Sequence, residues 1–348
     1  MNKKLTIVVP IFNVEKYLRE CLDSFALQTS HDFLVLLIDD GSTDSSSDIA
    51  KEYAKNNPDL FRYIRQENKG LGGARNTGLS LVESEYLMFF DSDDFMANRA
   101  VEHILKHIEN NPTEIIFFNP VIYDVALHTY TPWHDSLLIK EIFANNCVVK
   151  PSETPIFMLT EASVCRAIWK TSFLKRINLQ FMEHIHWEDV PPHFEIMHNA
   201  QSASFMDYEG AYFYRTNTGN QITAGSGKTR LEMKTIYEVI EKNFKDKSWS
   251  KMEKVYMLGF LSNYLLWSIS VIDDEYLPEF VDITHNFLQR AKSFGLYSKF
   301  FFKCKIGLKH KVLIFALKSR LTYKLLKDKE RISSRLRFLK KLKRILKR

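Results

Sequence analysis

Two alternating periods run through the first 120 residues and leave few folds open. Leu5–Val9 is an unbroken apolar run that ends at Pro10. Phe33–Ile38, Arg62–Ile64, Tyr86–Phe90 and Glu114–Asn119 follow as further strand-like runs. Between them Tyr17, Leu18, Cys21, Leu22 and Phe25 recur at helical spacing. A helix is expected after Ser42 or Thr43 as N-cap, and Leu71–Leu81 and Arg99–Ile108 also read as helices. Nearly continuous apolar strands separated by helices predict a parallel sheet covered on both faces. Ligands of such α/β folds bind beyond the carboxyl ends of the strands. Polar clusters stand at those ends: Asn13 after the first strand, Asp39-Asp40 after the second, Asn68 after the third and Asp91-Ser92-Asp93-Asp94 after the fourth.

The remainder is less periodic. Residues 120–165 show no clear pattern, while Ala167–Leu174 and Ser202–Arg215 read as further strands with turns. From Thr229 the pattern is helical. Residues 255–272 carry no charge, which raises a membrane-spanning alternative. Gly259, Ser262, Asn263 and Ser270 share one helical face, and this favours a buried amphipathic helix of a small C-terminal domain. With 348 residues, 45% hydrophobic and 26% charged, the chain can bury a core without disulfide or metal staples, which excludes a disordered or fibrous class. The four cysteines are scattered with no CxxC pair, so neither a disulfide framework nor a structural zinc is expected. The apolar start breaks at Asn13 and Glu15, against a secretory leader, and a reducing, cytoplasmic setting is the expectation.

Charge is distributed unevenly. Residues 299–348 hold 19 Lys/Arg against Asp328 and Glu330, a net +17, while residues 1–298 hold 29 against 40 acids, a net −11. Ile332, Leu336, Leu339, Leu342 and Leu346 share one helical face of the tail, and Lys and Arg fill much of the rest. A basic helix with an apolar stripe suits an anionic membrane surface. An acidic body argues against nucleic acid as partner.

Carboxylates two residues apart in a turn, as in Asp91-Ser92-Asp93-Asp94, can converge on one hard cation. The alternative is an N-cap for the following helix. The second acidic turn and the parallel-sheet context favour the cation. Four blocks in order then resemble the opening of family 2 inverting glycosyltransferases of the GT-A fold. They are Val8-Val9-Pro10-Ile11-Phe12-Asn13-Val14-Glu15-Lys16-Tyr17-Leu18 with Gln28-Thr29, then Asp39–Asp44, then Asn68–Asn76, and finally Asp91–Asp94. The resemblance is strong over residues 4–110, weaker over 160–224 and absent beyond about 230.

That resemblance implies an α/β fold, a Rossmann-like, mostly parallel sheet with helices on both faces, followed by a helical C-terminal region. It implies that Pro10, Phe12, Asn13 and Glu15 line a nucleotide pocket and that Asp40 accepts from the base. Asn68 and Arg75 would close over the nucleotide, Asp91 would reach the ribose and Asp93 would ligate Mn²⁺ or Mg²⁺. Asp39 is expected to support its turn. Trp187-Glu188-Asp189-Val190 stands where such enzymes carry a Glu-Asp pair opening a helix, with Asp189 as general base and Glu188 as runner-up. Pro191-Pro192 is unusual there and fits only the first turn of a helix. In the Tyr212–Gln221 segment, Arg215 is either a phosphate contact or a strand arginine paired to an acid. His184, His186 and His193 lack metal-type spacing and are expected in ordinary polar roles. Gly225-Ser226-Gly227-Lys228-Thr229 ends like a P-loop, but Ile222 stands where the first glycine is needed.

The expected organisation is a glycosyltransferase domain at 1–228, with a nucleotide half at 1–120 and an acceptor half at 121–228. A helical region at 229–298 and the basic tail at 299–348 complete it. The expected activity moves a sugar from a UDP-linked donor to a saccharide or lipid-linked saccharide, in bacterial surface-polysaccharide synthesis at the inner membrane face. A nucleotidyltransferase and a binding module defined by the tail are the competing readings.

Overall fold

The computed structural model describes residues 3–218, 226–293 and 295. The basic tail at 299–348 and the Ile222–Gly225 part of the P-loop-like stretch lie outside the described residues. The chain divides into two compact units, 1–221 and 222–348.

In the first unit strands and helices alternate as β1 (Leu5–Ile11), α1 (Glu15–Ala26), β2 (Phe33–Asp39), α2 (Ser46–Asn56), β3 (Phe61–Arg65), α3 (Gly70–Leu81), β4 (Tyr86–Phe89), α4 (Ala100–Asn110) and β5 (Ile115–Phe117). Then come β6 (Val121–Asp124), β7 (Thr129–Pro132), α5 (Ser136–Phe143), β8 (Val148–Val149), β9 (Ala167–Lys170), α6 (Thr171–Arg176), α7 (Val190–Asn199), β10 (Ala203–Phe205) and β11 (Phe213–Thr216). An eight-stranded sheet runs in the order β3-β2-β1-β4-β9-β5-β10-β8. The block β3-β2-β1-β4 is parallel, with Val8 beside Leu36 on one side and Phe89 on the other. Strand β9 runs antiparallel to both β4 and β5, so β5 regains the direction of β4. The expected mostly parallel α/β sheet is therefore present.

Burial explains the sequence pattern. Every residue of β1 is buried, which is why it reads as unbroken apolar. Helix α1 buries Leu18, Cys21, Leu22 and Phe25, the face that its spacing picked out. Helix α3 tolerates its glycines because they let it approach the sheet: a Cβ at Gly78 would collide with Val8 Cγ1. The run Ala167–Leu174 departs from expectation. Only Ala167–Lys170 is strand, and the chain turns into α6 at Thr171. A six-residue helix is too short to print its own period.

A second, three-stranded sheet orders β11-β6-β7, with β11 parallel and β7 antiparallel to β6. Strand β7 is exposed along its whole length, which is why 120–165 showed no apolar run.

In the second unit, helices α8 (Met233–Lys245), α9 (Lys251–Val271) and α10 (Leu277–Ser293) follow one another. Ser250 and Glu253 form a reciprocal capping box at the start of α9. No described helix is long and apolar enough to cross a membrane. The polar face expected of α9 is divided between core and solvent. Ser262 is fully buried and donates back to the Leu258 carbonyl, whereas Asn263 is exposed.

Candidate active site

The loops at the carboxyl edge of β1, β2, β3 and β4 are tied together by side chains. Asn13 takes a left-handed φ of 49° after β1, and its Oδ1 accepts from the Thr43 N–H at 2.8 Å and the Thr43 hydroxyl at 3.2 Å. Glu15 accepts from the Ser45 N–H at 2.9 Å, and Asp44 accepts from the Glu15 N–H at 3.1 Å. Asn13 and Glu15 thus brace the β1–α1 loop against the loop before α2. Phe12, between them and β1, is half exposed, and Pro10 is buried within the strand.

Asp39 and Asp40 divide their work. Asp39 is fully buried and accepts from the Ser42 N–H, the Tyr63 hydroxyl at 2.6 Å, Arg65 at 2.7 Å and Ser47. Burial alone would raise its pKa, but the hydrogen bonds from Ser47, Tyr63 and Ser42 outweigh it and hold the carboxyl below its usual range. Asp39 therefore supports the turn. Asp40 accepts through Oδ1 from Gln66 at 2.7 Å and from the Lys69 N–H at 2.8 Å. Its carbonyl accepts from Asn68 Nδ2 at 3.0 Å, so Asn68 closes the loop onto the second strand's end. Gly41 and Gly70 make these turns at φ 80° and 74°. A Cβ at Gly70 would come within 3.0 Å of the His184 nitrogen, where the Lys69 carbonyl accepts from the His184 N–H at 3.0 Å.

Arg75 brings the two halves of the sequence together. Projecting from α3, it is 3% exposed, donates to Asp91 at 2.9 Å, and pairs with Glu188 on the other side. Its guanidinium also lies over the Phe181 ring, 5.7 Å from the centroid. Burial opposes its charge, yet Asp91 and Glu188 more than compensate and keep the guanidinium firmly protonated. Sequence reasoning placed Arg75 over the nucleotide and missed this bridge, because residues 113 positions apart leave no spacing signal.

The acid turn after β4 splits as well. Asp94 is fully buried, accepting from the Tyr212 hydroxyl at 2.5 Å and the Arg215 N–H at 2.7 Å. Asp93 is partly exposed, and burial together with the neighbouring Asp91 pushes its pKa up to about 6. Arg215 on β11 donates from Nε to the Asp93 carbonyl at 2.6 Å and pairs with Glu20 at 2.9 Å. It lies between the rings of Tyr17 and Phe95. No group of three His, Cys, Asp or Glu gathers as a metal cage among the described residues. Asp91 and Asp93 supply hard oxygens, which fits Mg²⁺ or Mn²⁺ held by one or two carboxylates and substrate phosphates.

Asp189 stands at the N-cap position of α7 without a side-chain capping bond, with Pro191 and Pro192 in the first turn, where missing N–H groups cost nothing. Glu188 is buried and engaged by Arg75, while no side-chain donor among the described residues reaches the Asp189 carboxylate. Burial, and then the Glu188 charge, push the Asp189 pKa well above its usual value. Trp187 precedes the pair in a left-handed conformation, φ 65°, and is buried. His193, one turn into α7, is buried and held neutral, with a pKa of about 3.

Residues 6–171 match the family model "Glycosyl transferase family 2". The uncharacterized glycosyltransferase EpsJ of Bacillus subtilis is 33% identical over 221 residues, 61% of this chain and 61% of that protein. The teichoic acid poly(glycerol phosphate) polymerase of Staphylococcus epidermidis is 30% identical over 190 residues, 53% of this chain and 24% of that protein. The chain thus spans less than two thirds of the length of these relatives. Among solved structures, S. aureus TarS 1–349 in complex with UDP-GlcNAc superposes with a TM-score of 0.72 at 20% identity. The match covers 94% of this chain and 91% of that one. It shows a shared fold, and the expected GT-A architecture is borne out.

Proposed function

We propose, from the premise that residues 6–171 belong to glycosyl transferase family 2, that this chain transfers a sugar from a UDP-linked donor to a saccharide hydroxyl during cell-surface polymer synthesis. The observation that carries the reading is the gathering of Asp40, Asn68, Asp91 and Asp93 at one edge of the parallel strands, with Arg75 linking Asp91 to Glu188 beside Asp189. The UDP and UDP-GlcNAc bound by TarS and the polymer named for the staphylococcal relative support the donor and the setting. The acceptor is a saccharide or lipid-linked saccharide.

Residues 1–120 hold the nucleotide and 121–228 the acceptor. Asp40 accepts from the base, since Oδ2 is not engaged by the described residues. Pro10, Phe12, Asn13 and Glu15 shape the base's side of the pocket, and Asn68 closes over it. Asp91 faces the ribose. Arg215 is assigned to the diphosphate side through its grip on the Asp93 carbonyl. Mg²⁺ or Mn²⁺ held at Asp93 would neutralise charge on the departing diphosphate. Asp189 takes the proton of the acceptor hydroxyl as that oxygen attacks from the face opposite UDP, which inverts the anomeric centre. Its raised proton affinity suits a base, and Arg75 fixes Glu188 beside it.

The deciding experiment incubates the full chain with a panel of UDP-sugars and saccharide acceptors and measures released UDP. Acceptor-dependent UDP release is expected. Release of sugar 1-phosphate in place of UDP, with UMP passed to the acceptor, would favour a nucleotidyltransferase and sink the proposal.

A further inference from the structure

A cavity opens beside the three-stranded sheet. It encloses about 250 Å³ and is bordered by Asn119, Tyr130, Trp133, Ser136, Leu137 and Lys140. That is room for about eight water molecules at ~30 Å³ each, the scale of one sugar ring. Asn119 and Trp133 are each 6% exposed. Both polar atoms of the Asn119 amide and the Trp133 indole Nε1 lack a hydrogen-bond partner. Buried polar groups are normally satisfied, so unpaired donors and an acceptor at a cavity wall call for an occupant with hydroxyl groups. At the mouth, Tyr130 is 58% exposed and Leu137 82% exposed, which offers apolar surface to the C–H face of such a ring. Lys140, on the lining, pairs with Asp207 at 3.4 Å.

Topology places this cavity on the working edge of the large sheet. Strand β5 runs in the direction of β4, with antiparallel β9 between them. Asn119 follows β5 as Asp91–Asp94 follows β4, so both leave the sheet at the same edge. The Trp133 ring meets Tyr214 edge-on at 5.3 Å, one residue before the arginine that holds the Asp93 carbonyl.

We propose that this cavity is an acceptor subsite that binds one neutral sugar unit, with the Asn119 amide and Trp133 indole meeting its hydroxyls and Tyr130 its apolar face. The role as acceptor subsite rests on the glycosyltransferase reading, whereas the binding of a sugar does not.

The test uses the full chain, with methyl β-glucoside and N-acetylglucosamine as probes in saturation-transfer NMR. UDP binding is titrated on the same samples and reads the donor proposal alone. Saturation should reach the ring protons of at least one sugar in the wild type. Tyr130→Ala should weaken that binding by roughly tenfold, through loss of one stacking face and its area. Leu137→Trp, at an exposed position that folding tolerates, should block the mouth while UDP binds as before. Asn119→Asp keeps the shape but removes the amide donor, and should also lose affinity. Absence of sugar binding alongside intact UDP binding would overturn the subsite and leave the donor reading standing. Sugar binding indifferent to Leu137→Trp and Tyr130→Ala would overturn it as well, as would an occupant identified as water alone.

Discussion

Among single residues, the bridge from Asp91 through Arg75 to Glu188 dominates the energetics of the site. Arg75→Met would leave Glu188 buried without its counter-charge, a change that costs about 3–5 kcal/mol when a buried pair is broken. Arg75→Lys should restore only part of this, because one ammonium cannot match a planar fork that reaches two carboxylates. Denaturant midpoints of the two variants check the order. At the proposed base, Asp189→Asn keeps size but cannot take a proton. Turnover should fall ~10²–10⁴-fold with UDP affinity unchanged, and a near wild-type rate alongside a dead Glu188→Gln would move the role to Glu188. His193 gives a pH prediction. Burial, reinforced by the Arg166 charge and partly offset by Asp135, holds its folded pKa at about 3 against roughly 6.5 in an unfolded chain. Between those values the unfolded state binds a proton that the fold refuses, so this group's contribution to stability falls as pH drops, by about 1.4 kcal/mol per pH unit. Asp93, raised to about 6, works in the opposite sense, so the readout is the difference between wild type and His193→Gln. That difference should swing by roughly 2 kcal/mol from pH 6.5 to 5 in favour of the variant. Parallel pH profiles would refute the assignment. The turn was legible in the sequence at Asp39, whose support role the family resemblance implied and its hydrogen bonds from Ser42, Tyr63 and Arg65 bear out. The partners of Arg75 and the unpaired Asn119 were not, since both depend on chain segments meeting through the fold.

Elements were legible where burial imposes a period. Strands β1, β2, β4 and β5 show themselves because they are covered on both faces and the helices because they are covered on one, whereas edge strand β3, with Arg62 and Arg65 exposed, reads more weakly. The small sheet stayed hidden because β7 is exposed, and β8, at the edge of the large sheet, because it has two residues. Helix α3 shows the reverse case, a segment legible as helix whose glycines have a reason only packing supplies. A Cβ at Gly72 would strike the Met182 carbonyl, and one at Gly78 would strike Val8 Cγ1. In an exposed helix Gly→Ala gains about 1 kcal/mol. Here Gly78→Ala should instead cost about 1–3 kcal/mol through overpacking. Thermal unfolding of Gly78→Ala, Val8→Ala and the double variant separates the two causes. If the collision with Val8 is the cause, the double variant should be more stable than the sum of the single changes predicts. Strict additivity would place the cost elsewhere in α3.

Across the whole molecule, the uneven charge is the feature the fold leaves to be explained. The proposed donor site, which would meet a nucleotide diphosphate, sits in residues whose net charge is −11, and 19 Lys/Arg are set apart after residue 298. If those cations served the diphosphate, high salt would lower donor affinity. If they serve a surface, salt would leave the donor site alone and weaken adhesion. The regular apolar stripe from Ile332 to Leu346 favours the surface, because a solvated polycation has no need of a leucine every three or four residues. Near an anionic leaflet each cation adds about 1 kcal/mol, so a few engaged residues hold a protein of this size. The full chain should therefore sediment with vesicles containing anionic lipid and be released by salt on the scale of the Debye length. Replacing Lys340, Lys341, Lys343 and Arg344 by Gln in the full chain should weaken sedimentation while UDP affinity stays constant. Vesicle binding that survives this replacement, or that is equal on neutral lipid, would remove the membrane from the account of the tail. A fall in UDP affinity would assign the tail's charge to the donor instead.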